Sequence, residues 1–181
     1  MALKATIYKA DVQIADMDRH YYADHQLTIA QHPSETVERL MVRVLAFMRC
    51  VDDTQDEAPL TFTKDLFETD EPALWKKDLT GQLQQWIEVG IPSEDKVKKA
   101  GARCDEVVVI AYGTQVADWW NKSSKLKGID NLKVYQLPLE TTQAIQALCA
   151  RTMQLQLNII DGEWTLSSDD GSVNIGWIEL K

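Results

Sequence analysis

Cysteine is scarce. The 181 residues hold only Cys50, Cys104 and Cys149, an odd number and widely spaced. A disulfide-stapled scaffold is excluded, and reduced, packed thiols are expected. The three histidines, His20, His25 and His32, share no metal-ligand spacing with those cysteines. No run approaches the roughly 18 apolar residues of a membrane span. Residues 1–10 lack the apolar core of a secretory signal, so a soluble, cytoplasmic protein with no membrane partner is expected. No Gly-rich phosphate loop is present, which disfavours a small-molecule phosphoesterase of that type. Positive charge is in the minority, with 19 Lys and Arg against 28 Asp and Glu, a net charge of −9. Such a chain is not a non-specific DNA coater.

What is present suffices for a single domain over residues 1–181. Hydrophobic residues make up 45% of the chain and include six Trp and five Tyr, which excludes disorder over most of its length. Tyr8, Ala10, Val12 and Ile14 alternate with polar residues, as do Tyr21, Ala23, Leu27 and Ile29. Two strands joined by a hairpin are predicted. His25 falls on the apolar register of the second strand and reads as a packed histidine rather than a catalytic one. Ser34 stands as an N-cap for an amphipathic helix over 35–49. The apolar stripe of that helix is Val37, Leu40, Met41, Val44, Leu45 and Met48. Residues 52–71 carry eight acidic side chains against Lys64 alone. They read as a solvated excursion around a short strand at 60–63.

Residues 71–77 read as a short helix with Pro72 in its first turn. Asp78 and Gly81 bound a turn. Strands at 83–91, 106–112 and 132–137 then alternate with helices at 92–103, 115–122 and 140–150. The uninterrupted Val107-Val108-Val109-Ile110 is typical of a strand covered on both faces. The alternation predicts an α/β fold with a mixed, partly parallel sheet flanked by helices. After residue 150 the pattern returns to strands, with turns at Asp161-Gly162 and Asp170-Gly171. Strands from both termini are expected to pair into an additional antiparallel sheet or small barrel, because open edges are a liability.

Glu88 is the most informative residue. It sits in an apolar stretch, Trp86-Ile87-Glu88-Val89. A buried carboxylate there must be paired, protonated or metal-bound. Alternation puts Gln84, Trp86, Glu88 and Gly90 on one face. The next helix carries Lys96, Lys98, Lys99 and Arg103, with Val97, Ala100 and Cys104 as its buried side. Lys96 lies roughly 80° from the centre of that side, and Lys98 and Lys99 roughly 120° and 140°. Geometry alone favours Lys96 for reaching Glu88, while a tilted helix leaves the other two open. On the first helix Glu38 lies roughly 90° from the stripe, whereas Glu35 is nearly opposite it and is expected to be exposed.

The segments HPSETVERLMVRVLAF, DEPALW, WIEVGIP and KVKKA, with an RTMQLQ strand near the C-terminus, closely resemble the YaeQ family of bacterial proteins over essentially the whole chain. The resemblance implies a core similar to the PD-(D/E)XK nucleases, elaborated with extra strands. It carries the helical glutamate of those enzymes onto Glu38 and the strand acid onto Glu88. The motif lysine two residues later is absent, since that position is Gly90. Some members of the superfamily move this lysine to the following helix. The pattern then selects Lys98 over Lys96 and Lys99, against the helical geometry. The upstream acid falls on Asp70, with Glu71 and Asp78 as alternatives.

On that resemblance Glu38, Asp70 and Glu88 converge and repel one another unless a divalent cation neutralises them. All-oxygen ligation suits Mg²⁺ or Mn²⁺. The implied function is a metal-dependent nuclease or phosphodiesterase acting on nucleic acid. The alternative is a catalytically silent nuclease-like scaffold that binds nucleic acid or a protein partner. The stretch bounded by Lys96 and Lys133 has eight Lys and Arg against four Asp and Glu, an approach path for nucleic acid. Trp119-Trp120 lies within it, a pair that stacks on bases in single-strand binders but more often has one buried and one half-exposed ring.

Overall fold

Residues 4–181 are described by a computed structural model. The elements in chain order are β1 (Thr6–Asp16), β2 (Tyr21–Gln31), α1 (Val37–Cys50), β3 (Leu60–Phe62), β4 (Leu74–Lys77), β5 (Leu83–Val89), α2 (Glu94–Gly101) and β6 (Glu106–Ala111). They continue with α3 (Val116–Lys122), β7 (Leu132–Gln136), α4 (Leu139–Gln146), β8 (Thr152–Ile160), β9 (Glu163–Ser168), β10 (Gly171–Ile175) and β11 (Ile178–Glu179). The chain forms two compact units. One contains the described residues up to Val44 together with Glu140–Gly176, and the other contains Leu45–Leu139 and Trp177–Lys181.

The first unit holds a five-stranded sheet of order β10-β9-β8-β1-β2. The predicted hairpin pairs Thr6 with Gln31 through to Asp16 with Tyr21. Alternation gives the sheet one apolar face, where Ala10, Val12, Ile14, Ile29, Leu155 and Leu157 are buried. Strands from both ends of the chain do pair, but β1 and β8 run parallel. The sheet is therefore mixed and open rather than antiparallel or a barrel. A parallel neighbour needs a long crossover, and the chain between β1 and β8 provides one.

Helix α1 departs from the expected single stripe. Every residue from 40 to 48 is buried, Arg43 included. Its first turn is capped by Thr36, whose Oγ1 accepts from the Arg39 amide at 3.1 Å, whereas Ser34 bonds to His32. Glu35, expected in solvent, is buried. It precedes the helix and turns inward to accept Arg43 Nε at 2.8 Å and Arg43 Nη2 at 2.7 Å. Arg39 Nη1 donates to it at 2.8 Å, and Arg43 also reaches the Ala30 carbonyl. An arginine inside the buried stretch of the helix dictates this. Breaking such a pair on one side typically costs about 3–5 kcal/mol.

The second unit holds a six-stranded sheet of order β11-β7-β6-β5-β4-β3. Strands β5, β6 and β7 are parallel, and β3, β4 and β11 join antiparallel, the mixed sheet expected of the alternation. Val107, Val109 and Val134 pack with Val97 and Ala100 of α2 and Val116 of α3. The predicted helix over 71–77 is instead β4. Leu74 and Lys76 are buried, and Leu74 pairs with Ile87 of β5. Pairing along the sheet overrides the local helix signal, and Pro72 precedes a strand.

His25 is half-buried on β2, with Tyr21 Oη 2.8 Å from its Nε2. Burial holds its pKa below the ordinary 6.5, and the Asp24 charge offsets only part of that. The unfolded chain takes up a proton below pH 6.5 that the folded chain resists, so stability falls as the pH drops from 6.5 toward the folded value. His25→Gln should flatten the slope of unfolding free energy in that window. Urea unfolding between pH 5 and 7 measures it, and an unchanged slope would assign the effect elsewhere.

Candidate active site

Strand β5 places Trp86 and Glu88 on one face, and the two side chains meet. Glu88 is 4% exposed. Trp86 Nε1 donates to Glu88 Oε1 at 2.8 Å. Lys96 Nζ lies 2.9 Å from Oε1 and 3.1 Å from Oε2, and it donates to the Glu71 carbonyl at 3.0 Å. The ammonium thus sits where a cation must sit if this carboxylate is to stay charged.

The local sequence explains why Lys96 arrives there. The backbone at Gly90 has φ +105°, a conformation that side chains strain to adopt. The position of the nuclease motif lysine is therefore closed to a lysine, and the cation comes from the next helix. Ser93 caps α2 by accepting from the Lys96 amide. Val97 and Ala100 are buried, which turns Lys96 toward β5, as the helical geometry indicated. Lys98, favoured on the motif, is exposed. The lysine bound to Glu88 is Lys96.

Beside this pair lies a cleft of about 500 Å³, lined by Asp70, Trp86, Asp95, Lys96, Lys99 and Arg103 among others. Asp70 thus faces the same space as the two residues that hold Glu88. The other upstream acids are occupied. The Glu71 carboxylate accepts from the Lys64 amide at 2.8 Å. Asp78 Oδ1 accepts from Thr80 and Gln82 within the predicted turn, and these bonds hold its carboxyl below the usual range. Glu38 is half-buried in the first turn of α1 and belongs to the first unit. Among the described residues, no group of three or more His, Cys, Asp or Glu side chains gathers as a metal site.

Trp119 and Trp120 are both half-buried. Trp119 Nε1 donates to the Pro92 carbonyl at 2.9 Å, which ties α3 to the turn between β5 and α2. Cys104 bonds to the Ala100 and Glu106 carbonyls. Burial pushes its thiol up to about 11, so no thiolate serves this site at neutral pH. All three cysteines are free, as their number and spacing indicated. Two features escaped the reading of the sequence. Arg103 was seen only as part of a basic helix, although its guanidinium lies 5.8 Å from the Trp86 ring. The donor role of Trp86 was legible in principle, since a Trp two residues from an acid on a strand shares its face.

A model of the YaeQ protein family matches residues 1–177. The chain belongs to the YaeQ family. It is 41% identical to the Escherichia coli K12 protein named "Uncharacterized protein YaeQ" over 177 residues, covering 97% of this chain and 95% of that one. The Salmonella typhi protein of the same name is 40% identical over equal shares. Among solved structures, the YaeQ protein of Xanthomonas axonopodis pv. citri matches with TM-score 0.91 and 46% identity, covering 98% and 99% of the two chains. The Pseudomonas syringae YaeQ protein matches with TM-score 0.89 and 30% identity, covering 98% and 96%.

In this YaeQ chain the Glu88–Lys96 pair has a measurable consequence. Lys96→Met leaves a buried carboxylate with only an indole N–H. The Lys96 side chain is 30% exposed, so the loss should fall below that of a fully buried pair, at about 2–3 kcal/mol. Adding Glu88→Gln should recover most of it. Urea unfolding reads both, and a Lys96→Met cost below about 0.5 kcal/mol would show that the pair does not stabilise the fold.

Proposed function

We propose that this YaeQ chain is a divalent-metal-dependent phosphodiesterase acting on nucleic acid, with a core of PD-(D/E)XK type and its site in the cleft between β5 and α2. One observation carries this. Asp70, Glu88 and Lys96 come from separate segments, yet Asp70 and Lys96 line one cleft and Lys96 grips Glu88. Upstream acid, strand acid and lysine in that order match what the PD-(D/E)XK resemblance implies, and two carboxylates with a cationic side chain suit metal-assisted hydrolysis of a phosphodiester. Three helix-flanked parallel strands beneath the site support the likeness of the core.

The donor chemistry fits Mg²⁺ or Mn²⁺. The Asp70 and Glu88 carboxylates are hard oxygen ligands, and Mg²⁺ needs only one or two carboxylates with water and substrate phosphate. A bound cation of this kind lowers the pKa of its water and stabilises phosphoryl charge. The chain's own residues do the rest. Glu88 and Asp70 would hold the cation. Lys96, released from Glu88, donates to the attacking water or to a phosphate oxygen. Lys99 and Arg103 neutralise the flanking phosphates.

A catalytically silent binding scaffold is the second reading. It is favoured by the three acceptors that surround Lys96 Nζ, because a lysine so engaged already satisfies Glu88 without metal. Cleavage of labelled single- and double-stranded DNA and RNA in Mg²⁺ and Mn²⁺ separates the two. The nuclease reading expects metal-dependent products, reduced at least 100-fold in Glu88→Gln and in Lys96→Met. Melting temperatures would confirm that both variants are folded. No cleavage by the wild type, together with no rise of its melting temperature in metal, would overturn the nuclease reading and favour the silent scaffold.

A further inference from the structure

We infer that the nucleic acid this site takes is single-stranded, laid along an aromatic and basic strip that runs from the cleft across β5 onto β4. The inference rests on the nucleic-acid reading above and names its substrate class.

Pairwise contacts link its residues. The Arg103 guanidinium lies 5.8 Å from the Trp86 ring. Trp86 and Trp75 are cross-strand partners, with ring centroids 6.4 Å apart in edge-to-face contact. Lys77 Nζ sits 3.5 Å from the centre of the Trp75 ring. Trp86 is buried and lines the cleft, whereas Trp75 and Lys77 are half-exposed. The half-exposed indole of Trp75 thus carries Lys77 on its ring, while Lys99 and Arg103 line the cleft at Trp86.

Charge decides the class of ligand. The chain carries −9 overall, and Asp70 and Asp95 also line the cleft. Phosphate contacts alone are therefore too few to hold a duplex, whose recognition draws mainly on a broad basic face. An indole supplies affinity that does not depend on net charge, but only to a base whose face is free. A duplex hides those faces in its own stack. Lys77 now occupies the Trp75 ring. A solvent-accessible ammonium like the half-exposed Lys77 holds a ring less strongly than a stacked base does. A base therefore displaces Lys77, and the freed ammonium moves onto the adjacent phosphate.

Fluorescence anisotropy of a labelled 15-nucleotide single strand, and of the same sequence as a duplex, tests this in EDTA, where no metal-dependent cleavage occurs. The single strand should bind at least tenfold more tightly than the duplex. Its log K against log salt should have a slope of about −2, for three phosphate contacts on a single strand. Trp75→Ala should weaken single-strand binding about tenfold. Because Trp75 also packs on the core, Lys77→Gln with Arg103→Gln provides a second arm, which should bring the slope to about −0.7. Equal or tighter binding of the duplex overturns the inference, as does a salt slope unchanged in the double variant. Metal-dependent cleavage of duplex without strand preference would sink this inference and leave the nuclease reading standing. Absence of binding to either form, with no cleavage in metal, would sink both.

Discussion

A carboxylate does not remain charged inside an apolar strand unless a cation meets it there. That constraint at Glu88 organises the second unit of this protein. Trp86 turns its indole N–H onto the carboxylate, and Lys96 closes on both oxygens. For Lys96 to arrive, α2 must start close to the end of β5 and present its buried side to β6. The turn at Gly90 and the Ser93 cap allow this, and the Trp119 bond to Pro92 holds the corner from the far side. The same lysine fastens the Glu71 carbonyl, next in the chain to Asp70. The pair that holds the sheet to its helix thus also ties down the segment that carries Asp70.

The first unit obeys the same rule with a different outcome. Glu35 meets Arg43 through two hydrogen bonds and takes a third from Arg39. A planar guanidinium matches a carboxylate on both oxygens and does not lose its proton. Such a pair is closed and structural. The Glu88 pair uses a lysine, a compact cation on a flexible stem, and it opens on a cleft. The difference in chemistry between the two cations separates a buried clasp from a candidate site.

Much of the fold was legible because period and turn chemistry agree with it. The alternation of β1 and β2 and the apolar run of β6 left little choice of structure. Helix α1 was legible in type but not in environment. Its apolar residues read as a single stripe, and only the pairing of Arg43 with Glu35 shows why residues 40–48 are buried on every side. The segment before β5 failed for another reason: Pro72 after two acids is a good local helix start, and pairing with β5 overrides it. At the site, Glu88 declared itself by its apolar neighbours, and helical geometry pointed to Lys96. The family resemblance pulled the choice toward Lys98, because a motif fixes spacing and not the angle at which a helix sits. Arg103 and Trp75 stayed hidden, since their contacts form across strands and between a strand and the turn after α2.

Diffraction at the manganese edge, from crystals grown with Mn²⁺ and a non-hydrolysable phosphorothioate oligonucleotide, bears most directly on what Lys96 is doing. If its ammonium stands in for a catalytic cation, an anomalous peak will appear between Glu88 and Asp70, with the Lys96 side chain drawn off Glu88 and turned to the phosphate. A cleft without manganese, and Lys96 still seated on both Glu88 oxygens beside bound nucleic acid, would contradict that and leave the pair as a structural clasp.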